Sequence, residues 1–144
     1  MSVSATLDIE LFEGNINSIE IIECLLRNGW RIEDNGKKVY LPINDDGMFN
    51  WQSEDIITDY EVIEILRKKN SINEVLGVSL SWLDTNIGGE FLVRQDLSIS
   101  MSLSNNRQLN SYGVTDFDWY LSKIVPILNK RDLNIESITF FQSN

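Results

Sequence analysis

"VLGVSLSWLDTNIGGEFLVRQDLSISMSLS", residues 75–104, holds three strand-like runs separated by turn-forming residues. In the first run, Leu76, Val78, Leu80 and Trp82 fall on one face of an extended chain. "DTNIGG" collects residues that tolerate positive φ and reads as a turn, after which "EFLV" resumes the strand. "LSISMSLS" alternates strictly, with Leu97, Ile99, Met101 and Leu103 on one side and four serines on the other. A strand of that kind buries one face and wets the other, which is the habit of antiparallel sheets.

Downstream, "NNRQLNSYG" is a polar loop, and Thr115 or Asp116 is placed to cap a helix. Its Phe117, Tyr120, Leu121, Ile124 and Leu128 have helical spacing, and Pro126 predicts a kink near Ser122–Val125. "NIESITFFQS" closes the chain as a strand with apolar residues on both faces. Upstream, Thr58 and Glu61 form a capping-box pattern that opens a helix over residues 59–69. Asp59, Glu61 and Glu64 lie early in it and Arg67, Lys68 and Lys69 late, an order that complements the helix dipole. In "WRIEDNGKKVYLPI", Asn35-Gly36 is the favoured pair for a type I′ turn. It predicts a hairpin joining Trp30/Ile32 to Val39/Leu41. Asn17 and Glu20 suggest a further capping box, starting a helix over residues 18–28, and "ATLDIELFEG" is a first strand. The expectation is a single α+β domain spanning residues 1–144. It is a mostly antiparallel, twisted sheet of six to seven strands, with three helices on one face and the other face partly open.

Composition narrows the chemistry. The 144 residues include 22 Asp or Glu against 12 Lys or Arg, a net charge of −10. Such a balance disfavours nucleic acid and anionic membranes, whose phosphates demand cations, and suits a basic protein partner. With no histidine in the chain, the strand serines have no imidazole base, and zinc in its usual His/Cys setting is not expected. Cys24, the sole cysteine, sits among Ile21, Ile22, Leu25 and Leu26 and reads as core. "NDDG" lacks the remainder of a calcium loop, so no metal and no cofactor are expected. Paired carboxylates are the one catalytic option, and nothing in the sequence singles out a pair. The opening "MSVSATLDIELFEG" lacks the basic and apolar regions of a signal peptide, which leads to the expectation of a cytoplasmic protein.

The acids are unevenly placed. From Val39 through Leu66 seven carboxylates occur without a Lys or Arg, and from Asn70 through Val93 the acids Glu74, Asp84 and Glu90 again stand alone. A solvated loop and a dipole-matched helix start account for part of this. Met48, Phe49 and Trp51 inside the acidic loop do not fit that account, and aromatics ringed by polar groups often anchor interfaces. If the Asp45–Asp55 loop and the Asp84–Glu90 turn share one end of the sheet, the molecule has an acidic pole. The expected contact residues for a protein partner are Asp45, Asp46, Phe49, Trp51, Glu54, Asp55, Asp84 and Glu90.

In its general build, in the acidic "NDDGMFNWQSED" (residues 44–55) and in "WLDTNIGGEFLVRQDLSISMSLSNNRQL" (residues 82–109), the chain resembles immunity proteins of contact-dependent growth inhibition and related polymorphic toxin systems. The resemblance implies tight binding to a cognate toxin domain, often a basic nuclease, whose active site or substrate surface is blocked. It implies no enzyme activity and no cofactor. The alternative is a protein-interaction or small-ligand-binding α+β domain, with its pocket between sheet and helices.

Overall fold

Apolar side chains at every second position build strands and at every third or fourth build helices, and the chain switches between the two periods. The computed structural model describes residues 3–144; Met1 and Ser2, at the head of the opening stretch, lie outside them. Among the described residues the elements are β1 (Ser4–Leu11), α1 (Ser18–Arg27), β2 (Trp30–Ile32), β3 (Lys38–Tyr40), β4 (Gln52–Glu54), α2 (Asp59–Ser71), β5 (Leu76–Trp82), β6 (Gly88–Val93), β7 (Ser98–Asn105), α3 (Phe117–Lys130) and β8 (Ile135–Ser143). The fold is α+β. One antiparallel open sheet runs β4-β3-β5-β6-β7-β1-β8, with β2 also joined to β5. It has eight strands rather than six to seven. The addition is β4, whose Gln52, Ser53 and Glu54 carry no apolar side chain that would mark them as a strand.

The register sorts side chains onto two faces. Leu7 opposite Met101, Ile9 opposite Ile99, Phe91 opposite Met101 and Val78 opposite Phe91 are all buried, in one cluster with Ile21, Ile22 and Leu25 of α1 and Tyr120, Ile124 and Leu128 of α3. Cys24 is part of that cluster. Trp30 lies edge-on to Trp82 and Phe91, and its indole N–H donates to the Lys123 carbonyl on α3 at 3.0 Å. Among the described residues the opposite face carries no helix. It presents Thr6 opposite Ser102, Asp8 opposite Ser100 and Glu90 opposite Ser102.

Helix boundaries follow the capping residues. The Thr58–Glu61 capping box at α2 is complete, whereas at α1 Asn17 accepts from the Glu20 amide and the Glu20 carboxylate turns to Arg131 at 3.1 Å. Asp116 caps α3, which continues through Pro126 to Lys130.

The hairpin expected around Asn35-Gly36 is corrected. The turn is present: both residues have positive φ, and Asp34 and Lys37 exchange backbone hydrogen bonds of 2.9 and 3.0 Å. Beyond that bridge, β2 and β3 do not pair with each other. Trp30 and Ile32 pair with Trp82 and Leu80, and Tyr40 pairs with Val78, so both segments run along the same edge of β5. Residues 33–37 are a turn thrown out of one interrupted strand. Burial decides this: Trp30, Ile32 and Tyr40 all reach the core by lying beside β5, whereas pairing with each other would have left one segment off the sheet.

Candidate functional site on the helix-free face

Two flaps fold over the helix-free face. The first is the turn at residues 33–37. Ser81 donates to the Glu33 carbonyl at 2.8 Å and Ser79 to the Asp34 carboxylate at 2.8 Å, which buries both hydroxyls although they face away from the helices. Asn105 joins them, its amide 3.4 Å from the Ser79 hydroxyl. It reaches this face because a register shift lies between the Gly88–Asn105 and Glu90–Ser102 pairs, placing Leu103 and Ser104 together opposite Gly89. The segment read from sequence as a turn ending at Gly89 therefore already contains the first two residues of β6.

The second flap is the loop from Pro42 to Trp51. Lys69, almost fully buried, donates to the Pro42 carbonyl at 2.7 Å and to Glu74 at 2.8 Å, and both Glu74 oxygens receive the Asn44 amide at 3.0 Å. Asp45 then accepts from the Phe49 amide at 2.8 Å and the Asn50 amide at 2.9 Å. Within this short arc Asn44, Asp46, Gly47 and Phe49 all have positive φ. For an aromatic residue such as Phe49 that is a costly backbone, which the Asp45 hydrogen bonds hold in place. The loop delivers Leu41 and Trp51 onto the sheet above Gly77, where a Cβ would stand 2.5 Å from Leu41 and 3.0 Å from the Trp51 ring.

Beside the second flap, over β6, β7 and β1, lies a cleft of about 190 Å³ lined by Trp51, Glu90, Leu92, Ser100, Asp8 and Thr6. Burial pushes the Glu90 carboxyl up from its ordinary value, and the nearby Asp34 charge adds to the effect. Among the described residues six ion pairs form, through Glu20, Glu23, Asp59, Glu64 and Glu74; Asp8, Glu10, Asp34 and Glu90 enter none of them. Arg94 borders Asp8 and Glu10 on this face, and its guanidinium donates to Ser100 at 2.9 Å. Each of these six pairs thus involves a helix residue, while the carboxylates of the open face take part in none.

The expected contact residues divide accordingly. Trp51 and Glu90 come together in the cleft. Asp46 and Phe49 are exposed on the loop before Trp51, and Asp55 is exposed just after β4. Asp45 is 7% exposed and serves the loop backbone. Glu54 accepts the Tyr40 phenol on the side of the sheet that faces the helices, and desolvation together with that carboxylate pushes Tyr40 up to about 12. Asp84 lies beside Arg31 in the β5–β6 turn, at the opposite end of β5 from the Asn44–Glu74 contact and roughly 20 Å from it at ordinary strand rise. The acidic segments therefore do not share one end of the sheet. Asp8 and Asp34 were missed by sequence reasoning. The alternation of β1 against the serines of β7 carried a signal for Asp8, and for Asp34 there was none, because only the folded turn brings it to Ser79.

No helix among the described residues is long and apolar enough to cross a membrane, and no group of three or more potential ligands is placed to hold a metal ion. No family model, curated protein or solved structure matches the chain.

Proposed function

We propose that this chain is an immunity protein of a contact-dependent growth inhibition or related polymorphic toxin system, which binds and neutralises a cognate, basic, nuclease-type toxin domain. The observation that carries the reading is Trp51, seated over Gly77 as the wall of a cleft beside Glu90, whose carboxylate has no cationic partner. An indole face next to desolvated carboxylate is a receptor for a guanidinium or ammonium group. A toxin that binds nucleic acid must present such groups, and a bound carboxylate occupies the place of a phosphate. Uncompensated acids on one face draw the basic partner in, and the aromatic contact slows its release.

Two observations bear on the alternatives. The cleft is smaller than the roughly 300–1,000 Å³ of small-molecule pockets, yet it admits a protein side chain. Glu90 and Asp34 stand side by side on one surface, linked through Ser79, rather than opposed across a gap where a substrate bond would lie.

The test is co-expression with the C-terminal domain encoded by the gene immediately upstream. The expected result is co-purification of the two chains and protection of cells from that domain; free passage of the domain and undiminished toxicity would contradict the proposal. In the complex, Asp46→Lys with Asp55→Lys is expected to slow association by roughly tenfold or more at low salt. Trp51→Ala is expected to weaken binding by about 2 kcal/mol or more, mainly through faster dissociation.

A further inference from the structure

We infer that two copies of this chain pair along β8, strand against antiparallel strand, to continue the sheet across a two-fold axis. Among the described residues β8 is the outermost strand, bonded to β1 alone in eight registered pairs from Ser4–Ser143 to Leu11–Ile135. Sheets normally protect such an edge with lysine, proline, bulges or brevity. β8 uses none of these along most of its length: it has nine residues, "IESITFFQS", with one charge near its start, and its one register shift lies at Glu10/Leu11, next to that start. The opposite edge, β4, has three residues. Ile138, Phe140 and Phe141 are 36%, 42% and 57% exposed along the open edge.

The edge is also held in shape. Gln142 accepts the Thr115 amide at 3.0 Å and the Thr115 hydroxyl at 2.6 Å, and Phe140 packs on Phe117 with ring centres 4.6 Å apart. A rigid edge loses little entropy when it docks.

Charge selects the occupant. Along Ser137–Ser143 β8 carries no charge, so a basic partner finds its attraction at Glu136 with the neighbouring Glu10, Glu13 and Asp96 and on the sheet's open face rather than along this edge. A second copy is self-complementary. With the axis through Thr139, Ile138 faces Phe140 of the other copy, Ser137 faces Phe141 and Glu136 faces Gln142, so no like charges oppose each other. At 42% and 57% exposure, Phe140 and Phe141 of the two copies offer roughly 300–500 Å² of the about 1,000 Å² that a specific interface requires, and Ile138 and the backbone ladder add to it. The axis is normal to the sheet, so both helix-free faces point the same way and each copy keeps its cleft open.

Sedimentation equilibrium of the full chain, from low micromolar to low millimolar concentration, tests this without any toxin. The expected result is a rise from one chain mass of 16.6 kDa to twice that value. Thr139→Lys places two ammonium groups opposite each other on the axis while giving each monomer a cross-strand partner in Asp8, so the fold is kept and dimerisation weakens by about tenfold or more. Phe140→Lys, checked for native circular dichroism, acts in the same direction. A chain that stays monomeric throughout, or a dimer that survives Thr139→Lys, overturns the inference.

Discussion

A Cβ at Gly77 would stand 2.5 Å from Leu41 and 3.0 Å from Trp51, so this glycine determines where the aromatic of the acidic loop comes to rest. Gly77→Ala is expected to cost about 1–3 kcal/mol in urea denaturation, as overpacking does, and to weaken partner binding because Trp51 must shift. Glu90 tests the site differently. Its carboxyl is raised by burial and by Asp34, so the folded protein binds the proton more tightly than the unfolded chain. That contribution to stability is complete below the ordinary carboxyl value of 4.5 and is lost as pH rises through the folded-state value. Glu90→Gln is therefore expected to melt at a higher temperature than the wild type at pH 7, to match it at pH 4 and below, and to bind the toxin domain less well. A variant less stable at pH 7 would mean that the carboxylate is satisfied in the fold. These residue-scale effects were partly legible in the sequence. Trp51 stood out as an aromatic in an acidic loop, but its seat depends on a missing side chain in a strand 26 positions later.

At the scale of elements, strands and caps were read well where the cause is local. Period-two alternation made β7 and β1, and Thr58 with Glu61 made the start of α2, because these signals reside in neighbouring residues. Thr58→Ala is accordingly expected to cost about 1 kcal/mol, measured by thermal or urea unfolding. The hairpin was misread because Asn35-Gly36 specifies a turn and not the partner of the flanking strands; β5, buried along nearly its whole length, takes both. The acidic loop is held by an element-level clamp in which Lys69 and Glu74 of neighbouring segments grip Pro42 and Asn44. Glu74→Ala leaves a buried ammonium short of its counter-charge and is expected to cost about 3–5 kcal/mol. A loss below 1 kcal/mol would show that the clamp does not hold the loop.

On the scale of the whole molecule, the α+β class and the two-faced sheet follow from the pattern of wet and dry positions, and the expected acidic pole does not. Sequence distance placed Asp84 with Glu90, whereas Asp84 stays in the β5–β6 turn at the Arg31 end and Glu90, the third residue of β6, lies on the open face beside Trp51. What the fold creates in place of a pole is an asymmetry between faces, with ion pairs gathered around the helices and uncompensated carboxylates across the sheet. Surface ion pairs add little stability, so this distribution bears on the encounter with a partner more than on folding. The most direct measurement is cross-saturation NMR on the labelled protein in complex with the upstream gene's C-terminal domain. Saturation is expected to enter at Trp51, Leu92, Ser100 and the Asp46–Phe49 loop while the outer surfaces of α1 and α2 remain untouched. Saturation confined to the helices, with the helix-free face unperturbed, would contradict it.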